Sequence, residues 1–194
     1  MVAITRPRIT KRVSPQGVAD VFSQWLTLPD DNRIIEIIDG VIVMSPGSEP
    51  HSSAMGFLYI EIGLHVRQND LGKVYPPAFG VMIREDFLPE PDISFVAKGR
   101  LGIVKHRWIE GPPDLVVEVL SPSTESRDRY IKLPEYIKFG VPEVWLVDTE
   151  KQSVEVYAGV KGKVKLSGKF MGEEVIVSKV LPGLKVKVEG IFEG

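Results

Sequence analysis

One stretch constrains the fold of this chain more than any other. Asp114-Leu115-Val116-Val117-Glu118-Val119-Leu120 is an almost unbroken aliphatic run of strand length. Such a run marks a strand covered on both faces, and hence a central one in its sheet. Alternation along a strand puts Asp114, Val116, Glu118 and Leu120 on one side. Glu118 then lies deep in the most apolar segment of the chain. Carboxylates are almost never buried unless they are paired or bound to a metal, because leaving water without a partner costs several kcal/mol.

The rest of the chain supplies a mixed sheet flanked by helices, an α/β (α+β) architecture. Pro15 to Leu26 reads as a helix with Ser14 as N-cap, and Val18, Val21, Phe22, Trp25 and Leu26 form its apolar face. Asp39-Gly40 between Arg33–Ile38 and Val41–Met44 is a strong hairpin signal, and Ser45 to Pro50 reads as a loop. His51 to Gln68 predicts a second helix buried through Met55, Leu58, Ile62 and Val66. Strands are expected at Val74-Tyr75, Gly80–Ile83, Asp92–Val96 and Val141–Asp148, with a polar loop from Ala97 to Gly111. A helical region from Ser126 to Phe139 ends at Gly140, and Pro134 predicts a kink or a fresh start near Leu133. Ser153 to Phe192 reads as short additional antiparallel strands.

Composition narrows the function. A chain of 194 residues with 43% hydrophobic and 26% charged content suits one globular domain spanning 1–194. It has no cysteine, so thiolate metal sites and disulfides are excluded. No window approaches the roughly 18 apolar residues of a membrane span, and the start has no apolar signal core, so a cytoplasmic location and no membrane partner are expected. The net charge of −2 argues against a protein that coats nucleic acid, but not against an enzyme that meets it transiently. Only three histidines exist, His51, His65 and His106, with no close ligand spacing, which disfavours zinc.

Two readings account for Glu118. One is a hard divalent cation, which carboxylates and waters hold and which activates water against a phosphoester. The other is a buried salt bridge with Lys132 or an arginine. The strand pattern leaves both open.

Further runs carry a resemblance. Pro91-Asp92; Pro113-Asp114 through Glu118-Val119-Leu120-Ser121-Pro122-Ser123-Thr124; Asp128-Arg129-Tyr130-Ile131-Lys132-Leu133-Pro134-Glu135-Tyr136; and Gly140-Val141-Pro142-Glu143-Val144-Trp145-Leu146-Val147-Asp148 follow in order. Glu36-Ile37-Ile38-Asp39-Gly40, Met44-Ser45-Pro46, His51-Ser52 and Leu181-Pro182-Gly183-Leu184 add to them. The whole resembles the Uma-type family of putative restriction endonucleases, in the PD-(D/E)XK nuclease superfamily. The resemblance implies a restriction endonuclease-like core and a Mg²⁺- or Mn²⁺-dependent endonuclease acting on DNA. Asp92 and Glu118 would be the metal ligands. The lysine that the superfamily carries two residues after the glutamate is Leu120 here. Lys132, on the following helix, stands at the position that replaces it, where an ammonium would steady developing negative charge.

Other residues have paired readings. Lys132 is either this catalytic lysine or an ordinary solvated helix charge. Glu36 either completes the carboxylate cluster or points to solvent from an alternating strand. His51 either joins the site or is a packing residue at a helix start. Asp114 stands about 13 Å from Glu118 at roughly 3.3 Å per residue, and reads as a strand-start residue. Arg100, Lys105, Arg107, Arg127, Arg129 and Lys138 either contact DNA phosphates or are solvated loop charges. The alternative to an active nuclease is a nucleic-acid- or partner-binding module that keeps the fold without the reaction. A homodimer is expected from the open edges of the C-terminal strands and from the two-fold symmetry of duplex cleavage.

Overall fold

A computed structural model describes residues 15–29, 33–44, 48–160 and 162–193, with the backbone alone for 15–19. The N-cap expected at Ser14, the contact expected of the Val18 side chain and the loop residues 45–47 lie outside the described residues. The first helix, α1, is Pro15–Thr27. It buries Trp25, while Leu26 faces solvent at 44% exposure rather than joining the apolar stripe as expected. The indole of Trp25 donates to the Ile35 carbonyl, which ties α1 to the next strand. Strands β1 (Ile35–Ile38) and β2 (Val41–Met44) form the hairpin expected at Asp39-Gly40. Both turn residues have positive φ, at 48° and 75°, as a two-residue turn matched to strand twist requires.

The second helix, α2 (Glu49–Gln68), starts two residues before His51 and buries Ala54, Leu58, Ile62 and Val66. This is a stripe at four-residue spacing, with Met55 only partly covered at its margin. Then follow β3 (Gly72–Tyr75), β4 (Gly80–Val81) and β5 (Ile93–Ala97). The strand expected over Gly80–Ile83 is cut short because the chain turns back on itself at 84–87, where the Phe87 N–H donates to the Arg84 carbonyl. The expected loop Ala97 to Gly111 instead holds a 3-10 turn, Lys98–Ile103, and β6 (Trp108–Ile109), which pairs in parallel with β4.

The aliphatic run is β7 (Leu115–Leu120), buried at every position. It lies inside a six-stranded sheet with β8 (Glu143–Asp148), β9 (Ser153–Val160) and β10 (Lys163–Met171), in the order β10-β9-β8-β7-β5-β3. The β7–β8 pairing is parallel and the others antiparallel, so the sheet is mixed as expected. Strands β9 and β10 are long members of this sheet, not a thin appendage. Beyond them, β11 (Val175–Val177) and β12 (Lys185–Lys187) make a separate ribbon, and α5 (Val188–Phe192) follows, a helix where only strands were expected.

Each face of β7 has its own core. Leu115, Val117 and Val119 pack with α2, α5 and the β11–β12 ribbon. Val116 and Leu120 pack with Leu133, Tyr136 and Ile137 from the opposite helical layer. That layer has three parts: α3 (Glu125–Arg127), a π-helical turn at Asp128–Lys132, and α4 (Leu133–Phe139). The fresh start expected near Leu133 is present. Pro134 has no N–H to give to the preceding turn, and the re-spaced turn ahead of it absorbs the mismatch. Gly140, at φ 108°, closes α4 with its N–H on the Tyr136 and Ile137 carbonyls.

Candidate active site

Five of the sequence-derived candidates meet at one end of β7. Strands β5 and β7 pair with Ile93 opposite Val117, so Asp92 comes opposite Glu118 at the next step of the ladder. Asp92 Oδ2 accepts the Val119 N–H at 2.7 Å, which pins its carboxylate between the two strands. Its other oxygen, Oδ1, lies 3.2 Å from Nε2 of His51, on the first turn of α2. The β1–β2 hairpin docks on the segment before Asp92 through reciprocal bonds between Ile37 and Leu88. That docking buries Glu36, whose Oε1 accepts the Glu90 N–H at 3.1 Å. Glu36 therefore does not point to solvent.

Lys132 enters from the helical layer. It is 3% exposed, which excludes a solvated helix charge. Its Nζ lies 2.6 Å from Glu36 Oε1, 3.2 Å from Glu118 Oε1 and 3.3 Å from Asp128 Oδ1. The buried salt bridge considered for Glu118 is thus present, with the same lysine that the site reading named. Leu120, two residues past Glu118, packs in the apolar cluster with Leu133 and Ile137. A lysine there would bury its charge among aliphatic side chains, whereas one on the helical layer reaches the carboxylates.

Glu36, His51, Asp92, Glu118 and Lys132 line one cavity of about 40 Å³, together with Glu90, Arg127 and Asp128. Asp114 is not among them; it caps the Ala97 N–H and pairs with Arg100, as a strand-start residue should. The basic residues that flank the site in sequence do not form one patch. Lys105 pairs with Glu110, Arg107 stacks over Trp25, and Arg129 binds Glu125, Asp148 and Glu155. Lys138 projects from α4 into solvent, and Arg127 alone of the six lines the cavity, 3.3 Å from Glu36 Oε2.

The sequence profile of the Uma2 family, described as "Putative restriction endonuclease", matches residues 20–189. The chain belongs to the Uma2 family. Among solved structures, a putative nuclease belonging to DUF820 from Anabaena variabilis ATCC 29413 shares the fold, with a TM-score of 0.72 at 20% identity over 88% of this chain and 96% of that one. No curated protein matches.

The Uma2 likeness implies a divalent metal, and the donor set can be tested against one. Five acidic side chains line the cavity, from Glu36, Glu90, Asp92, Glu118 and Asp128, together with the basic groups Lys132, Arg127 and His51. Burial, reinforced by Asp128, Asp92 and Glu36, drives the Glu118 pKa well above the usual carboxylate range despite Lys132. Burial and the nearby Glu36 raise Glu90 to about 7. The hydrogen bond to Asp92 raises His51 above its ordinary 6.5. Asp128 Oδ1 is buried without a hydrogen-bond partner and leans on charge alone. A cluster of hard oxygen donors, two of them acids that would give up their protons to a bound cation, is the chemistry that suits Mg²⁺ or Mn²⁺. Among the described residues no three acidic or histidine side chains form a ready cage. An ion held by two carboxylates with water completing its shell still fits, since each water-sized particle needs about 10–15 Å³ and the cavity offers about 40 Å³.

Sequence reasoning passed over Glu90, Asp128 and Tyr136 and treated Arg127 only as a flanking charge. Two signals were available. Glu90 shares strand parity with Asp92. Asp128, Lys132 and Tyr136 recur at four-residue spacing, which aligns them along one helical stripe facing the sheet.

Proposed function

We propose that this Uma2 protein is a divalent-metal-dependent DNA endonuclease, with Asp92 and Glu118 as the ligands of Mg²⁺ or Mn²⁺. The observation that carries the reading is the meeting of Asp92, Glu118 and Lys132 in one cavity from three separate segments of the chain. When bound, the ion would polarise a phosphoryl oxygen and make a bound water more acidic. The chain's own residues do the rest. Asp92 is held by the Val119 N–H and Glu118 by Tyr136, so both carboxylates are preorganised. Lys132 supplies a positive charge where the attacked phosphate gains negative charge. Its flexible stem lets it leave one of its three carboxylates for the substrate. His51 holds a proton against Asp92 at the start of α2, and Glu36 keeps Lys132 and Arg127 in the cavity. Water attacks phosphorus, the new P–O bond forms, the bond to the leaving sugar oxygen breaks, and the proton lost by the water is made good on that oxygen through solvent.

Supercoiled plasmid with Mg²⁺ or Mn²⁺, an EDTA control, an RNA arm and Glu118→Gln tests this directly. Cleavage that needs the ion and falls at least a hundredfold in the variant supports it; cleavage unchanged in Glu118→Gln overturns it. The same reading includes a homodimer that presents two sites to two strands. Of the two sheet edges, β10 carries Lys163, Lys165 and Lys169, which discourage pairing, whereas β3 lies beside exposed Ile60 and Leu64. A monomeric mass by sedimentation at micromolar concentration counts against the dimer.

A further inference from the structure

Tyr136 is the largest polar side chain buried behind the site. It is fully buried on α4, packed among Leu120, Leu133, Ile137, Val144 and Leu146. A hydroxyl in such a setting costs stability unless it is hydrogen-bonded, and phenylalanine would fill the same space without that penalty. Its hydroxyl donates to Glu118 Oε1 at 2.6 Å. Burial first, and Glu118 beside it, hold the phenol well above its ordinary pKa, so it remains a donor.

Lys132 also reaches Oε1, but at 3.2 Å and while shared with Glu36 and Asp128. The two donors differ in mobility. The ammonium sits on a flexible four-carbon stem with several carboxylates to choose from. The phenol sits on a ring with two torsions, locked by close packing on all sides. Both bonds fall on the same oxygen, and neither uses Oε2. A carboxylate gripped at one oxygen by a rigid donor has its plane and its second oxygen fixed, whichever way the lysine swings.

We propose that Tyr136 is the positioning residue of the ion site: it anchors Glu118 Oε1, directs the other oxygen into the cavity, and acts on ion binding only through Glu118. The inference rests on the reading that Asp92 and Glu118 hold a divalent ion. Partners that orient metal ligands typically cost 10–100-fold in metal affinity when removed. Tyr136 would do so from the apolar packing of α4 behind the cavity, with no contact to substrate.

The test is calorimetric titration of Mn²⁺ into the full chain, into Tyr136→Phe, into Glu118→Gln and into the double variant. Tyr136→Phe is expected to bind Mn²⁺ 10–100-fold more weakly while its ion-free unfolding stays cooperative. In the Glu118→Gln background the same change is expected to cause no further loss. A second arm places 3-fluorotyrosine at 136 and follows its fluorine resonance during Mg²⁺ titration, where a shift saturating with the ion is expected. Mn²⁺ affinity within twofold of the parent in Tyr136→Phe overturns the proposal. So does an equal further loss in the Glu118→Gln background, or a fluorine resonance indifferent to Mg²⁺ that the parent binds. A parent chain that binds neither ion, or a Glu118→Gln chain that binds as well as the parent, overturns the ion-site reading itself.

Discussion

Replacing Lys132 by Met removes the charge that three buried carboxylates share while keeping most of the side-chain volume. Glu36, Glu118 and Asp128 all lie within 3.3 Å of its ammonium, and all are at most 3% exposed. Breaking a buried pair by deleting one partner costs about 3–5 kcal/mol, because the remaining charge is left uncompensated. A solvated helix lysine would cost within about 0.5 kcal/mol. For a chain of this size each kcal/mol moves the midpoint by about 2–4 °C, so the expected fall is roughly 6–20 °C at pH 7. The loss should depend on pH. Glu118 already has a raised pKa, and Lys132 is the neighbour that lowers it, so the variant raises it further. A carboxyl raised in the folded state contributes stability that is present below its unfolded value of 4.5 and is lost as pH rises through the folded value. The gap between parent and variant should therefore be smallest at pH 4.5, where Glu118 is protonated in both, and widen once pH passes the parent's folded value. Thermal unfolding from pH 4.5 upward is the assay. A midpoint that falls by less than about 2 °C at pH 7, or a gap that does not change with pH, would refute the charge-compensation argument.

Glu90→Gln should flatten part of the pH dependence of stability. The rise of its pKa from 4.5 to about 7 corresponds to roughly 3 kcal/mol that the parent loses as pH climbs between those values, and that the amide, which still accepts the Ile35 N–H, does not lose. Urea unfolding at pH 4.5 and pH 8 measures it, and parallel profiles for the two proteins would sink the idea. His51 should titrate above 6.5 in proton NMR and move down in Asp92→Asn, which takes away the bond that raises it. Because that raised value stabilises the fold below 6.5 and the benefit fades as pH passes through it, Asp92→Asn should cost more stability at pH 6 than at pH 9.

The architecture was legible wherever one local signal governed a segment. The β-branched run of β7 announced a central strand, Asp39-Gly40 a hairpin, and Pro134 the restart of a helix. The misses come from places where tertiary pairing decides. Gly80–Ile83 has strand composition, but the turn at 84–87 takes its last residues. Trp108-Ile109 is too short to stand out of a polar loop and becomes a strand only because β4 lies alongside it. Glu118 stood out because an acid inside an aliphatic run is anomalous, whereas Asp92 was singled out through the Uma-type resemblance. Tyr136 could not, because a tyrosine beside Ile137 looks like ordinary core until the glutamate it donates to is in place.

The site is assembled against its own electrostatics, and the clamps around it show how the fold offsets this. Five acids at one cavity repel one another, so the segments that carry them need an external hold. Arg84 binds Asp39, Asp86 and Glu135, one from each of three segments: the turn after β1, the stretch leading to Glu90 and Asp92, and α4 just past Lys132. Arg129, on the π-turn between Asp128 and Lys132, binds Glu125 on α3, Asp148 on β8 and Glu155 on β9. Each guanidinium has five donors in a fixed fork, which lets one side chain tie several elements at set angles where a lysine would not. The two clamps lie outside the cavity, so they fix the frame around its acids without entering it. A structural domain would gain by replacing Glu118 with a hydrophobe, since a well-packed apolar group commonly matches or outperforms a buried ion pair. This chain instead carries a buried cluster of titratable groups secured from outside, which accords with the proposed ion site.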